Sequence, residues 1–277
     1  MHHLRTSESF RFRAEAARGV VALIAVAAAF CGPGCGGKTT EKTGDGKTTP
    51  KVDPPKIAPK PVADLLDAAF RKHDGNVERA LESLMPEADR KALIIRNAAG
   101  KIEAVDLSGM SLKTAGIKHL LALNETLQRV NLDRVYVTDD ALEALASLPQ
   151  LRKLELNQTP VTDAGLAHLA QATQLRELSL KGTKITDAGL KHLAALKHLR
   201  LLSLTWTGVT DEGLKHLAES NELHTLILDD TAVTDAGIAH LTGLKKLAFV
   251  HVTGTQVTPE GVAKLNRSLP RVEFRGP

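Results

Sequence analysis

The sequence has few of the residues that usually build metal, redox or aromatic-rich sites. It contains two cysteines, one tryptophan and one tyrosine in 277 residues, and aromatic side chains make up 3%. Both cysteines, Cys31 and Cys35, lie near the N-terminus. Two thiols are too few to complete a tetrahedral zinc site alone. The rest of the chain therefore has no cysteine for a disulfide or for thiol chemistry.

Motifs of known catalytic chemistry are absent as well. The sequence has no glycine-rich phosphate loop, no His-Glu metal motif and no nucleophile with its base outside the repeated pattern described below. A regular repeat also offers a broad surface more readily than a deep pocket. We therefore predict no catalytic residues, no cofactor and no enzymatic activity.

The net charge of +4 is unevenly distributed. Residues 1–34 carry a net +2 and residues 36–61 a net +3, which leaves residues 62–277 with a net −1. Binding to nucleic acid requires a basic surface on the folded part of a protein. The pI near 9.0 reflects the N-terminal segments instead, and we predict no nucleic-acid partner.

Most of the chain repeats one pattern, L-x-x-L-x-L-x-x-T-x-[VI]-T-D-x-G-L-x-x-L, every 24 residues. Copies of this frame begin at Leu151, Leu175, Leu199, Leu223 and Leu247, looser copies at Ile102 and Leu127, and a truncated copy at Leu269. The first part of each unit alternates apolar and polar residues, as a strand with one buried face does. The second part has helical spacing. Each unit is predicted to be a short strand, a turn and a short helix.

The start of each helix is indicated by the copy in which Thr258-Pro259-Glu260-Gly261 replaces Thr-Asp-x-Gly. Proline is favoured at the first helical position, so Thr258 is predicted to be the N-cap. The same register predicts four more N-caps, at Thr162, Thr186, Thr210 and Thr234. The aspartate after each threonine lies in the first helical turn, where the positive end of the helix dipole stabilises its negative charge. The glycine two residues later weakens a helix, so we predict that the neighbouring helix leaves no room for a Cβ.

Because one unit cannot cover its own apolar edges, the units are predicted to stack, with one parallel sheet on the concave face and helices on the convex face. The repeat resembles ribonuclease-inhibitor-like leucine-rich repeats, and its T-D-x-G-L variant is similar to repeats of F-box/leucine-rich proteins and bacterial GALA-type proteins. The resemblance covers residues 101–277, as seven repeats and a partial one. It implies an α/β fold, a right-handed leucine-rich repeat solenoid, and a binding role.

One column departs from that family pattern. The ninth position, usually Asn or Cys in the family, is Thr159, Thr183, Thr207, Thr231 and Thr255 in the regular copies. We predict that the threonine hydroxyl makes the backbone hydrogen bonds of that column. Met110 and Val135 hold the position in the first two copies and cannot do so.

Residues 1–35 resemble a bacterial lipoprotein signal. An arginine-bearing section precedes an apolar run over residues 19–30, which has the length of a signal-peptide core. Cys35 follows the small residue Gly34, although Gly32 and Pro33 depart from the usual lipobox. The resemblance implies export and lipidation of Cys35. The alternatives are modification of Cys31, cleavage without a lipid, or a disulfide or metal pair formed by the two cysteines.

Two segments separate this signal from the repeats. Residues 36–61 are rich in Gly, Thr, Lys and Pro and are predicted to be a disordered tether. Residues 62–100 return to helical spacing, with apolar stripes at 62–70 and 77–84 and a third short helix after Pro86 that contains Leu93 and Ile94. We interpret residues 62–100 as a helical N-terminal cap of the solenoid. A separate small interaction module is the alternative.

A histidine recurs one residue before the last helical leucine, on the convex face. Neighbouring helices lie about 8–10 Å apart, whereas zinc ligands converge to about 2 Å from one ion. We therefore predict a solvated column without a metal. The column comprises His119, His168, His192, His216 and His240.

Apolar residues replace charged ones at outward strand positions of the later repeats. These residues are Leu201, Ile227 and Phe249, with Trp206 just beyond its strand. Adjacent strands lie about 4.8 Å apart, so we predict one apolar patch that binds a protein partner. The alternatives are that the C-terminal residues 270–277 or another molecule cover these side chains, or that they only raise strand propensity.

These observations predict an exported protein, anchored by a lipid in the bacterial cell envelope or released to the periplasm or outside. Its solenoid would bind another protein through the concave C-terminal repeats. One alternative is a substrate receptor of the F-box type, although residues 62–98 contain no recognisable F-box. A structural envelope protein that self-associates is the other.

Overall fold

The computed structural model describes residues 65–84, 93–110, 112 and 114–276. The helices are α1 (Leu65–Lys72), α2 (Val77–Leu84), α3 (Thr114–Lys118), α4 (Asp139–Ala146), α5 (Asp163–Leu169), α6 (Asp187–Leu193), α7 (Asp211–Leu214), α8 (Asp235–Ala239) and α9 (Pro259–Ser268). Short 3₁₀ helices follow α3, α7 and α8, at His119–Leu123, Lys215–Leu217 and His240–Gly243. The predicted signal, tether, Cys31, Cys35 and Pro86 lie outside the described residues. Within them, no helix has the length and apolar character needed to cross a membrane.

The strands form one sheet in chain order. They are β1 (Ile94–Arg96), β2 (Ile102–Asp106), β3 (Arg129–Asn131), β4 (Lys153–Glu155), β5 (Glu177–Ser179), β6 (Leu201–Ser203), β7 (Thr225–Ile227), β8 (Phe249–His251) and β9 (Glu273–Arg275). Strands β2 to β9 are parallel, and a helix stands between each pair of consecutive strands from β2 onward. The predicted leucine-rich repeat solenoid is confirmed.

The parallel strands pair in register, so that equivalent residues form straight columns. The central column, one residue per strand, consists of Val130, Leu154, Leu178, Leu202, Leu226 and Val250. These side chains are almost completely buried. Each fully buried leucine contributes about 1.5–3 kcal/mol relative to an exposed one. The same column therefore aligns the strands and supplies the core that holds the repeats together.

The Thr-Asp-x-Gly motif joins each repeat to the next one. The carboxylate of Asp163 accepts a hydrogen bond from the backbone N–H of Thr186 at 2.9 Å and one from its hydroxyl at 2.5 Å. A Cβ on Gly189 would approach that carboxylate to under 3.0 Å, closer than real Cβ contacts. The predicted lack of room for a Cβ is confirmed. Its cause is the aspartate side chain of the preceding repeat as well as the neighbouring helix.

The same arrangement recurs along the solenoid. The aspartates Asp139, Asp187, Asp211 and Asp235 accept the equivalent pairs of hydrogen bonds from Thr162, Thr210, Thr234 and Thr258. The aspartate was predicted to act on its own helix dipole, and its bonds show that it also links two repeats. A charge-assisted hydrogen bond is roughly twice as strong as a neutral one.

The predicted N-caps are confirmed by position in all five helices, since each threonine has extended backbone angles directly before the helix. The side chains of Thr162, Thr210, Thr234 and Thr258 also accept a hydrogen bond from the first turn. Thr186 makes no such bond. Four of the five hydroxyls therefore serve two purposes, capping their own helix and donating to the preceding repeat, and Thr186 serves only the second.

The threonine in the ninth position behaves as predicted. The Thr207 hydroxyl donates to the backbone carbonyl of Leu204 at 2.6 Å, and Thr207 is buried. Equivalent bonds are made by Thr159, Thr183, Thr231 and Thr255. In three of these repeats the carbonyl also accepts the backbone N–H of the same threonine, whereas the bond described to the Leu204 carbonyl is the one from the Thr207 hydroxyl.

We expect the substitution Thr207→Val to lower the free energy of unfolding by about 1–3 kcal/mol, because valine keeps the shape but removes the donor and leaves the Leu204 carbonyl unsatisfied. Denaturant unfolding of the two proteins measures the difference. The exposed Thr253 provides a control, and Thr253→Val should change stability by less than about 0.5 kcal/mol. Equal stability of Thr207→Val and wild type would show that the column does not need its hydroxyl.

The N-terminal segment differs from the prediction in one respect. Ile94, predicted to lie in a third helix, begins β1 instead, and β1 pairs antiparallel with β2. The reason is a turn over residues 97–101, where the Asn97 side chain accepts backbone hydrogen bonds and Gly100 has a φ of 77°. The segment before the repeats is therefore not purely helical, and the sheet is not purely parallel.

Helices α1 and α2 share one continuous core with the repeats, through residues such as Leu66 and Leu81. On the surface, the ring of His119 stacks on Phe70 with a centroid distance of 3.7 Å and contacts Asp67 Oδ1 at 3.0 Å. This hydrogen bond is the main cause of the lowered pKa of Asp67. The first histidine of the column therefore packs against α1 and does not stand free in solvent. The boundary at residue 100 stays a prediction.

Candidate functional site

The four residues predicted to bind a partner lie on, or directly after, three consecutive strands. Leu201 begins β6, Ile227 ends β7 and Phe249 begins β8. Trp206 follows β6 in the turn that leads towards α7. We call these four residues the apolar patch. Leu201, Ile227 and Phe249 belong to the face of the sheet opposite the central leucine column, since each is one residue away from it in sequence.

The strand register sets how closely the patch residues approach one another. Leu201 and Phe249 both pair with Thr225, so they occupy one column on either side of β7. Ile227 lies in the next column, between Ser203 and His251. Thr225, Ser203 and His251 are buried by their neighbours. The apolar side chains therefore surround a few small or polar groups, and their partner-binding role stays a prediction.

Phe249 is the most exposed member of the apolar patch. In the part of the chain that the structure describes, the exposed large apolar side chains are Leu65, Ile95 and Phe249. The first two belong to the N-terminal segment, so Phe249 is the exposed member of this set within the repeats. Leu201, Trp206 and Ile227 are half-buried. Single exposed apolar residues are common, whereas here one exposed and three half-buried apolar residues lie around three adjacent strands.

Trp206 has an unusual backbone conformation. Its φ is 54°, in the left-handed region that bulky residues rarely adopt. Glycines hold the same column at Gly182 and Gly254, with φ of 66° and 74°. A residue other than glycine pays roughly 1–2 kcal/mol there. Other repeats also place non-glycine residues in this column with φ of 60°, 57° and 56°, namely Arg134, Gln158 and Asp230, so the left-handed turn is a property of the repeat and not of Trp206 alone.

The Trp206 ring is held in place by a charge on the neighbouring repeat. The ammonium group of Lys181 lies 4.8 Å from the ring centroid, within the range of a cation–π interaction. The sequence gives no direct sign of this pair. The left-handed backbone of Trp206, by contrast, could have been found from sequence, because its register aligns it with glycines 24 and 48 residues away.

Two titratable groups lie beside the apolar patch. The ring of His251 is almost buried, and its Nδ1 lies 3.9 Å from Oδ2 of Asp229. Burial lowers the pKa of His251, the charge of Asp229 opposes this shift, and Arg275 adds to it. Burial also raises the pKa of Asp229, against a backbone hydrogen bond from Thr253. Burial thus favours the uncharged form of both groups.

We expect His251 to make the protein less stable as the pH falls below its ordinary pKa of 6.5. The folded pKa is lowered, so the unfolded chain binds the proton first and is favoured on acidification. The free energy of unfolding of wild type relative to His251→Asn should be constant above that value and decrease below it. Denaturant titrations on both sides of the value measure the trend. A relative stability that rises on acidification would show that Asp229 outweighs burial.

The early repeats present a different surface on the same face of the sheet. Asn131 donates to Asp106, and Asn157 donates twice to Asp133, once from its backbone and once from its side chain. Burial raises the pKa of both Asp133 and Glu155. Lys153 contacts Glu155 at 3.3 Å. This half of the face is a hydrogen-bonded polar ladder with a surplus of carboxyl groups, whereas the later half is apolar.

The helical side of the repeats is polar where the structure describes it. The remaining column histidines are half-buried or exposed, namely His168, His192, His216 and His240. Among residues with described positions, no three His, Cys, Asp or Glu side chains converge to hold a metal ion. A shallow groove between α8 and α9 is lined by small and charged residues such as Ala239, Glu260 and Lys264. This lining lacks the aromatic anchor that the sheet face has in Trp206.

Comparisons with known proteins agree with the fold. Residues 171–194 and 195–218 match the family model described as leucine-rich repeat. The crystal structure of internalin C2 from Listeria monocytogenes is similar, with a TM-score of 0.53 and 23% identity over 79% of this chain and 95% of that chain. A leucine-rich repeat protein from Leptospira interrogans is 20% identical, with a TM-score of 0.47, over 62% of this chain and 48% of that chain. No curated protein matches the sequence.

Proposed function

We propose that this leucine-rich repeat solenoid is a protein-binding module, and that it binds its partner through the apolar patch. The observation that carries the proposal is the patch itself, in which Phe249 is exposed and Leu201, Ile227 and Trp206 are half-buried on or after three neighbouring strands, with Lys181 over the Trp206 ring. Tryptophan is enriched among residues that contribute most to protein interfaces. The proposed role is recognition and not catalysis.

The two halves of the exposed sheet face have different roles in this proposal. The polar ladder of the early repeats satisfies its own hydrogen bonds, which makes it a poor source of affinity. The patch of the later repeats exposes apolar area that loses contact with water when a partner binds. A partner that covers β6 to β8 would therefore gain most of its affinity from the patch and its specificity from the surrounding polar groups.

The proposal is tested with three full-length baits in cross-linking capture from the source cells. One is the intact protein, one carries Leu201, Ile227 and Phe249 changed to serine, and one carries the exposed Leu65 and Ile95 changed to serine as a matched control. A partner captured by the first and third baits but lost from the second supports the patch. Loss from the third bait alone would place the site on the N-terminal segment. Capture of the chain itself would indicate self-association.

We further propose that the protein is exported and anchored by a lipid on Cys35. The proposal rests on the order of an arginine-bearing section, an apolar run and a cysteine after Gly34. Metabolic labelling with an alkyne fatty acid, followed by membrane fractionation, compares the wild type with Cys35→Ser and Cys31→Ser. Loss of label and of membrane association in Cys35→Ser alone supports the proposal. Loss in Cys31→Ser alone, or an unlabelled wild type, would contradict it.

A further inference from the structure

A row of arginines borders the apolar patch at the start of three neighbouring strands. Arg152, Arg176 and Arg200 directly precede β4, β5 and β6. The backbone N–H of Arg176 donates to the carbonyl of Arg152, and that of Arg200 donates to Arg176, both at 2.7 Å. Successive residues of the arginine row are therefore held one strand spacing apart, about 4.8 Å.

The arginine row forms no ion pair with the residues that the structure describes. Arg152 and Arg200 are exposed and Arg176 is half-buried. The ion pairs in this part of the chain involve other basic side chains, such as Arg96 with Glu78 and Arg129 with Glu103. Three like charges at this spacing repel one another. A ligand that brings negative charge would relieve this repulsion.

One carboxylate near the arginine row, that of Glu222, already has another partner. The pKa of Glu222 is lowered first by a hydrogen bond from Lys246, and the charges of Lys246, Arg200 and His224 contribute less. Lys246 is thus the primary partner of the Glu222 carboxylate. His224 continues the row before β7, and its exposed ring contacts the carbonyl of Glu222. The positive charge of the arginine row is available to a ligand.

The position of the arginine row indicates the chemistry of the ligand. Leu201 directly follows Arg200, so the basic row and the apolar patch adjoin. The exposed sheet face beside the row carries Asp133, Glu155 and Glu177, which would repel a phosphate polymer that extended beyond the row. The row spans β4 to β6 and the patch spans β6 to β8, so a ligand with acidic groups towards one end and apolar groups towards the other fits both. Guanidinium groups bind carboxylates in a bidentate geometry that lysine cannot match.

We propose that the arginine row binds the carboxylates of an acidic segment of a helix from a protein partner, which lies across the strands with its adjoining apolar segment on the patch. The inference rests on the proposed function of the patch. Acidic residues three or four positions apart on a helix lie about 5–6 Å from one another, close to the spacing of the row. The helix would thus place one carboxylate on each guanidinium.

The test measures binding of a labelled alanine-rich helical peptide, with glutamates in one half and leucines in the other, by fluorescence anisotropy with the full chain. The row variant has Arg152, Arg176 and Arg200 changed to glutamine, and the control variant has the exposed Arg79, Arg267 and Arg271 changed to glutamine. We expect the row variant to bind about tenfold or more weakly and the control variant to bind within about twofold of wild type. The same peptide with glutamines in place of glutamates should bind wild type as weakly as the row variant binds the acidic peptide. Circular dichroism confirms that both variants are folded.

Four outcomes would overturn the inference. Equal weakening in both variants would indicate attraction by overall charge, and no binding to wild type would remove the acidic helix as a ligand. Tighter binding of inorganic polyphosphate than of the peptide, dependent on the row, would assign the row to phosphate. The row variant is also tested in the cellular capture described above. A partner lost from the patch variant but retained by the row variant would leave the proposed function intact and contradict this inference.

Discussion

Replacing Gly189 with alanine is expected to destabilise the protein by about 2–4 kcal/mol, although the same change in an exposed helix usually stabilises by about 1 kcal/mol. The added Cβ would overlap the carboxylate of Asp163. To make room, that carboxylate must leave the hydroxyl and the backbone N–H of Thr186. Chemical denaturation, followed by far-UV circular dichroism, measures the loss.

Two further variants separate this mechanism from a general effect of alanine. Gly243, at the end of a 3₁₀ helix, has ordinary space for an added Cβ, whose nearest neighbour would lie at 3.7 Å. Gly243→Ala should therefore change stability by less than about 1 kcal/mol. In a protein that already carries Asp163→Ala, the substitution Gly189→Ala should lower the free energy of unfolding by at least about 1 kcal/mol less than it does in the wild type. A stabilising Gly189→Ala would refute the link between repeats.

Replacing Leu202 with alanine is expected to cost about 3–5 kcal/mol. Leu202 is completely buried at the centre of β6, with Leu178 and Leu226 in the same column on either side. The regular repeat gives the neighbouring strands little freedom to collapse into the cavity, because each is fixed in register on its other side. The measurement is again the free energy of unfolding.

The adjacent Leu201 provides the control for this prediction. It is half-buried on the opposite face of the same strand, and Leu201→Ala should cost about 1 kcal/mol or less. The two substitutions remove the same atoms from neighbouring residues. Similar costs for both would mean that Leu201 belongs to the structural core, and would leave the apolar patch without one of its members.

The repeated part of the fold could be predicted because the same residue pattern recurs in every repeat. Alternation, helical spacing and the Thr-Pro variant at Thr258 located strands, helices and caps. The antiparallel β1 was missed because it occurs once, outside the repeat, and depends on the turn formed by Asn97 and Gly100. The hydrogen bonds that Thr186 donates to Asp163 were missed because they join residues that only stacking brings together.

The candidate site was predictable in composition but not in detail. The apolar residues of β6 to β8 could be read from the repeat register, since one face of a strand must point outward. The burial of Thr225 and His251 between them could not, because it depends on the side chains of neighbouring strands. The pair of Lys181 and Trp206 likewise depends on the direction of a flexible side chain across a turn.

A protein partner is proposed to bind the sheet face around the apolar patch. The most direct test introduces a photo-cross-linking amino acid at the exposed Thr253, beside the patch, or at the exposed Lys191 on helix α6. Each full-length variant is irradiated in the source cells, and the cross-linked partner is identified. If the partner binds at the apolar patch, it will be cross-linked through position 253 and not through position 191. A partner joined only through position 191 would place the binding surface on the helices and contradict it.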